Sequence, residues 1–170
     1  MAAQKFLNIV SGILTQISAS VTGTANAIPS GDATGHLDQS WMPTGVGPES
    51  VSLVTSENLA AGDLVNIYSN GGVATARKAD ASAATAGKVA HGFVIAATTS
   101  PAAATVYVGS QQNGQVSGLT PGSTYYLSGS TPGGVTATPV STSGYASQEV
   151  GEATAAGNLI FQPKTATVLA

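Results

Sequence analysis

The stretch Leu64-Val65-Asn66-Ile67-Tyr68-Ser69-Asn70-Gly71-Gly72-Val73-Ala74-Thr75-Ala76-Arg77 decides the fold class. Residues 64–68 and 73–77 are rich in apolar, β-branched and aromatic side chains, which fit a pleated surface. Between them stands Asn70-Gly71, a pair that tolerates the positive φ angles of a tight hairpin turn. The segment therefore reads as two antiparallel strands. The same grammar runs outward. Residues 51–55 alternate, and residues 89–97 hold Phe93-Val94-Ile95, which reads as a strand buried on both faces. Residues 105–108, 123–128 and 135–138 follow, the last two flanking Thr131-Pro132-Gly133-Gly134. Residues 145–153, 159–162 and 167–169 close the chain. Short strands separated by Gly, Pro, Asn and Ser turns predict an all-β domain over residues 50–170, a sandwich or a β-barrel-like fold. Residues 79–87 are the one place where a helical turn fits. No fixed-period repeat is present, which argues against a solenoid or propeller.

The first third is built differently. Residues 6–10 and 13–18 flank Ser11-Gly12 and predict a small hairpin within residues 1–20. Gly12 and the β-branched neighbours disfavour the competing helix. An isolated hairpin is marginal in water, so it needs the main domain or a neighbouring subunit. Residues 21–49 contain Ile28-Pro29-Ser30-Gly31-Asp32-Ala33-Thr34-Gly35-His36-Leu37-Asp38-Gln39-Ser40-Trp41-Met42-Pro43-Thr44-Gly45-Val46-Gly47-Pro48. Its prolines and glycines exclude a regular helix or a central strand. A flexible linker would be polar throughout, whereas this segment carries spaced apolar anchors. It reads as an extended docking arm. The candidate interface is Phe6, Leu7, Ile9, Val10, Ile13 and Leu14 of the hairpin with Ile28, Leu37, Trp41, Met42 and Val46 of the arm. Trp41 is the only tryptophan, and large aromatics anchor interfaces. Its alternative role is to cap the β-domain of its own subunit.

Composition bears on function class. Of the 170 residues, 8% are charged, against roughly 25% in an average soluble domain. Hydrophobic residues make up 42%, many of them alanine. Such a surface has little charge to repel neighbours and tolerates close packing between subunits. Net charge is −3 with five basic residues, too few for a nucleic-acid groove or an anionic membrane surface. The chain has no cysteine, which removes disulfides and thiolate metal sites. The apolar run after Lys5 is broken by Asn8, Ser11, Gly12, Thr15 and Gln16, a weak match to a signal peptide. No stretch approaches the length of a membrane span.

Catalytic readings are weak, and the prediction is that the chain has no catalytic residues, no metal and no cofactor. His36 with Asp32 and Asp38 reads as a solvated turn, since a hard cation wants more oxygen ligands. His91 reads as structural. No nucleophile-elbow sequence occurs. Glu149 and Glu152 stand three apart in an expected strand and should point to opposite faces, which does not support paired-carboxylate chemistry. Gly45-Val46-Gly47 lacks the strand and helix of a phosphate loop. Of Tyr125 and Tyr126, one is expected in the core and the other exposed.

The arm string Asp32-Ala33-Thr34-Gly35-His36-Leu37-Asp38-Gln39-Ser40-Trp41-Met42-Pro43-Thr44-Gly45-Val46-Gly47 resembles a string of tailed-bacteriophage structural proteins. After it come Leu59-Ala60-Ala61-Gly62-Asp63-Leu64-Val65-Asn66-Ile67, Arg77-Lys78-Ala79-Asp80 and His91-Gly92-Phe93-Val94. Gly118-Leu119-Thr120-Pro121-Gly122-Ser123-Thr124-Tyr125-Tyr126-Leu127-Ser128 and Pro132-Gly133-Gly134-Val135-Thr136 complete the series. In this order the motifs resemble phage head decoration (capsid cement) proteins, from about Asp32 to the C-terminus. The hairpin is not covered. The resemblance implies a β-tulip-type domain, a structural protein on the capsid exterior of a virion, and the major capsid protein and its own copies, as a homotrimer, as partners. It implies no enzyme, no nucleic-acid partner and no membrane. The arm string also occurs near tail-fibre modules, so the alternative is a fibre-associated module that binds a host glycan or receptor.

Overall fold

The computed structural model describes residues 5–10, 13–33, 35–42, 47–82 and 87–170, with backbone alone for residues 5–10, 13–16 and 39. The chain is all-β, with one short 3-10 turn among the described residues, at Gln39–Trp41, and divides into two compact units, Met1–Gly47 and Pro48–Ala170.

In the first unit, β1 (Lys5–Val10) and β2 (Ile13–Ser20) pair antiparallel, with Phe6 opposite Ile17 and Val10 opposite Ile13. This is the expected hairpin; its Ser11-Gly12 connection lies outside the described residues. A third strand, β3 (Ile28–Pro29), pairs parallel with Ala19–Ser20. The strand order is β1-β2-β3. The arm is thus not extended throughout: its start folds back onto the hairpin. Pro29 is tolerated there because β3 is an edge strand, where a missing N–H costs no ladder bond.

The second unit starts with β4 (Ser50–Thr55), β5 (Leu64–Asn70), β6 (Val73–Lys78), β7 (Gly92–Phe93) and β8 (Ala103–Val108), which close into a barrel in the order β4-β6-β5-β7-β8. The β5–β6 hairpin turns on Gly71 (φ 61°) and Gly72 (φ 88°), with Asn70 opposite Val73. Two consecutive positive φ angles match the right-handed twist of the flanking strands. A five-stranded sheet follows, ordered β11 (Val135–Thr136), β10 (Thr124–Leu127), β13 (Glu149–Ala155), β14 (Asn158–Phe161) and β9 (Gln111–Asn113). A short pair, β12 (Ala146–Ser147) and β15 (Thr167–Val168), completes the unit.

Strand periodicity divides the core in two. Leu64 and Val65 are both fully buried neighbours on β5, yet they belong to different clusters. Val65 joins Leu53, Ala76, Ala104 and Val106 from the barrel strands. Leu64 joins Phe93 with Tyr125, Leu127, Val150, Leu159 and Phe161 of the five-stranded sheet. Successive side chains on a strand point to opposite faces, so the barrel wall is apolar on both sides where the second sheet covers it. Phe93 is the pivot: its ring stacks on Tyr107 at 5.6 Å and meets Phe161 edge-on at 5.5 Å.

Several expectations change. Within residues 89–97 only Gly92–Phe93 is strand, and Ile95 is 43% exposed although Val94 is buried. After Phe93 the backbone turns its hydrogen bonds to the 62–63 turn, with Gly62 N donating to Val94 O and Val94 N to Asp63 O. That ends the ladder before Ile95. The helical turn considered for residues 79–87 falls partly on residues 83–86, outside those described; Ala79 N and Ala81 N donate to the distant Leu64 O and Ser128 O, not within a helix. Glu149 and Glu152 share a face. Tyr126 pairs with Glu149 while Tyr125 pairs with Gly151 and Thr124 with Glu152, so a bulge adds one residue to β13. An extra residue reverses the alternation beyond it.

Candidate interaction surface

The arm string closes on itself, and Asp32, Asp38, Ser40 and Trp41 each supply a bond to that closure. The Asp32 carboxylate accepts from His36 N (3.0 Å), and Asp32 N donates to His36 O (2.8 Å). Gly35, at φ 85°, lets the chain reverse between them. The Asp38 carboxylate accepts from both Ser40 N (2.9 Å) and Ser40 Oγ (2.5 Å), the short-range pattern by which Asp initiates a turn. These bonds hold the Asp38 carboxyl below the usual carboxylate range. Ser40 Oγ accepts in turn from Gly23 N (2.5 Å), and Trp41 Nε1 donates to Val21 O (2.9 Å). Gly23 is required by this closure, because a Cβ there would lie 2.3 Å from Ser40 O.

Residues 21–23 and 40–41 are therefore tied together, and the apolar side chains around the tie stay in water. Val21 is 43%, Leu37 50% and Met42 41% exposed, while Ile28 and Trp41 are half-buried. Of the interface candidates, Trp41 is brought to Val21, and Ile28 pairs with Ala19 in the sheet. Phe6, Leu7, Ile9, Val10, Ile13 and Leu14 are placed on β1 and β2 by register alone, and Val46 lies outside the described residues. The sequence reading did not single out Val21, Gly23, Asp38 or Ser40 for the surface. The Asp-x-Ser spacing is the signal that could have found the last two.

In the second unit Arg77, Lys78 and Lys164 are engaged within the chain. Arg77 lies 4.0 Å over the Tyr68 ring and donates from Nε to Asn66 Oδ1 (2.9 Å); Lys78 pairs with Asp63 at 3.1 Å. Lys164 pairs with Glu149 at 2.6 Å, and Glu149 holds its ammonium above the usual lysine value. An open cleft of about 510 Å³ is lined by Val89, Ala90, His91, Gln148, Pro163 and Lys164, among others. His91 Nδ1 accepts from Ile67 N at 3.0 Å, which places the ring proton of the neutral form on Nε2. Burial pushes the His91 pKa down. The Gln148 amide bridges the two walls of the cleft: Oε1 accepts from Ala90 N (2.7 Å), and Nε2 donates to Ala90 O (3.0 Å) and Lys164 O (3.1 Å). This is a structural staple, with every polar atom of the amide occupied. One of the two adjacent tyrosines is core as expected, Tyr125, whose hydroxyl accepts from Thr120 N; Tyr126, expected to be exposed, is half-buried.

No protein-family model matches the chain, and no curated protein or solved structure shows significant similarity to it.

Proposed function

We propose that this chain is a structural virion protein that binds the outer surface of a phage capsid and stabilises the shell by bridging capsid subunits. The observation that carries the reading is the self-closed arm. Asp38, Ser40 and the Trp41 indole N–H are spent within the arm, and what it offers a partner is the exposed Val21, Leu37 and Met42 with the half-buried Trp41. Such a surface acts by burying apolar area against a neighbour and not by chemistry. The partners are the major capsid protein and other copies of the chain, as a homotrimer. Many copies, each with modest contacts, gain strength through effective concentration.

The glycan-binding alternative needs free aromatic faces. Tyr125 is buried, Tyr107 stacks on Phe93, and Arg77 covers Tyr68, so these three rings are engaged within the chain. The test compares particles lacking the chain with complete ones. A ligand that binds only the assembled state raises its stability by mass action, so complete particles should resist heat and osmotic shock better. Bare particles that survive heating equally well but fail to adsorb to cells would establish the fibre-module reading instead.

A further inference from the structure

The chain contains the dipeptide Asn-Gly twice, at Asn70-Gly71 and Asn113-Gly114. The fold treats the two sites in opposite ways. Asn113 is fully buried; its Nδ2 donates to Gly62 O (2.9 Å) and its Oδ1 accepts from Gln115 N (3.1 Å). Asn70 and Gly71 are exposed at the tip of the β5–β6 hairpin. Neither the Asn70 amide nor Gly71 N has a hydrogen-bond partner among the described residues. A Cβ at Gly71 or Gly72 would meet nothing within 4 Å, so the space around the turn is open.

We propose that Asn70 is a site of spontaneous deamidation, selected over Asn113 by the fold. Gly71 N, unhindered because glycine has no side chain, attacks Cγ of Asn70. A new C–N bond forms, the side-chain nitrogen leaves as ammonia, and a cyclic imide remains. Water then adds to one of the two imide carbonyls and opens the ring. One direction gives aspartate; the other gives isoaspartate, with the main chain routed through the side-chain carbon. The net change exchanges ammonia for water, with no oxidation or reduction. The attack needs the tip to open transiently, and hairpin ends open at low free-energy cost. At Asn113 the same step requires withdrawing a buried amide from two hydrogen bonds, so the core protects it.

The product matters because of its position. A carboxylate at residue 70 adds one negative charge to a chain of net charge −3, directly opposite Val73, which is 60% exposed. Isoaspartate lengthens the backbone at the last residue pair before the turn. Every aged copy would carry the change on the same exposed tip.

The test is to age the intact folded protein in mildly alkaline buffer and follow both sites by peptide mass spectrometry, with enzymatic isoaspartate methylation as a second readout. A denatured sample aged in parallel reports the intrinsic reactivity of each dipeptide. The expected result is conversion at Asn70, with isoaspartate present, while Asn113 stays an amide in the folded sample and converts in the denatured one. Retention of the Asn70 amide in folded protein, while the denatured sample converts, overturns the proposal. Equal conversion of the two sites in folded protein overturns it as well. Asn70→Gln, which cannot form the small imide readily, should abolish the methylation signal of the folded sample; persistence of that signal would locate the chemistry elsewhere.

Discussion

Gln148→Ala offers a stringent check on the second unit. The side chain is 4% exposed and makes three hydrogen bonds, two to Ala90, itself 2% exposed. Truncation leaves Ala90 N and Ala90 O buried without partners. Each unsatisfied buried group costs about 1–3 kcal/mol, so the pair sets a range of roughly 2–6 kcal/mol. The adjoining cleft, about 510 Å³, lets water reach the vacated space and bridge the two groups. That favours the low end, about 2–3 kcal/mol. With a urea dependence of about 1–3 kcal/mol per molar, the unfolding midpoint should fall by roughly 0.7–3 M. Urea titration followed by circular dichroism measures it. Gln148→Glu is the companion variant: it keeps an acceptor for Ala90 N but loses both donors, and should be at least as harmful at neutral pH. A midpoint within about 0.3 M of wild type for Gln148→Ala would show that the bridge contributes nothing, and the reasoning from buried partners would fail.

Three further expectations concern the pH response and the first unit. His91 has a folded pKa below its unfolded value of about 6.5, so its neutral form is the one the fold favours. Stability from this group is complete above the unfolded pKa and is lost as pH falls below about 6.5, where the unfolded chain takes up the proton first. The unfolding midpoint should drop over that window, and His91→Asn, which keeps an acceptor for Ile67 N without titrating there, should flatten the drop; an unchanged slope would assign it to other groups. Trp41→Ala should weaken attachment to particles by roughly 2 kcal/mol while the second unit stays folded, and equal occupancy in a binding titration would refute the anchoring role. Deleting the residues before Ser20 removes β1, all of β2 but Ser20, and with Ala19 the partner of Ile28 on β3, but no member of either core cluster; the remaining chain should fold yet attach poorly or change its oligomeric state, and normal values of both would contradict a role for the hairpin.

What the sequence revealed and what it hid follow from the range of the forces involved. Asn70-Gly71 announced its hairpin because turn geometry is local. Gln111-Gln112-Asn113 gave no strand signal, since β9 is polar and exists through its pairing with β14 and the burial of Asn113 against Gly62. The strand at Phe93 was legible, but its end was not, because hydrogen bonds from the distant 62–63 turn set it. The facing of Glu149 and Glu152 was misjudged because one bulged residue, invisible in composition, inverts the period. In the arm the apolar anchors were readable. Asp38 and Ser40 were not recognised as its clasp, since their partner, Gly23, lies seventeen residues from Ser40.

The barrel seam sets an order on biosynthesis. β5 and β6 are neighbours in the chain and pair across two glycines, so they can form as soon as both have emerged. β4 emerges before them but must wait: its long antiparallel partner is β8, with Ser50 opposite Tyr107 and Val54 opposite Ala103, and its ladder with β6 is the short parallel contact of Val54 and Thr55. Until Val108 has left the ribosome, β4 has at most its short contact with β6, and residues 50–53 lack a ladder partner. Distant pairings close slowly and leave strand edges exposed meanwhile. During high-level synthesis, β4 strands of neighbouring nascent chains are the segments most able to pair with one another, and the yield of soluble protein becomes a race between that mispairing and the arrival of β8.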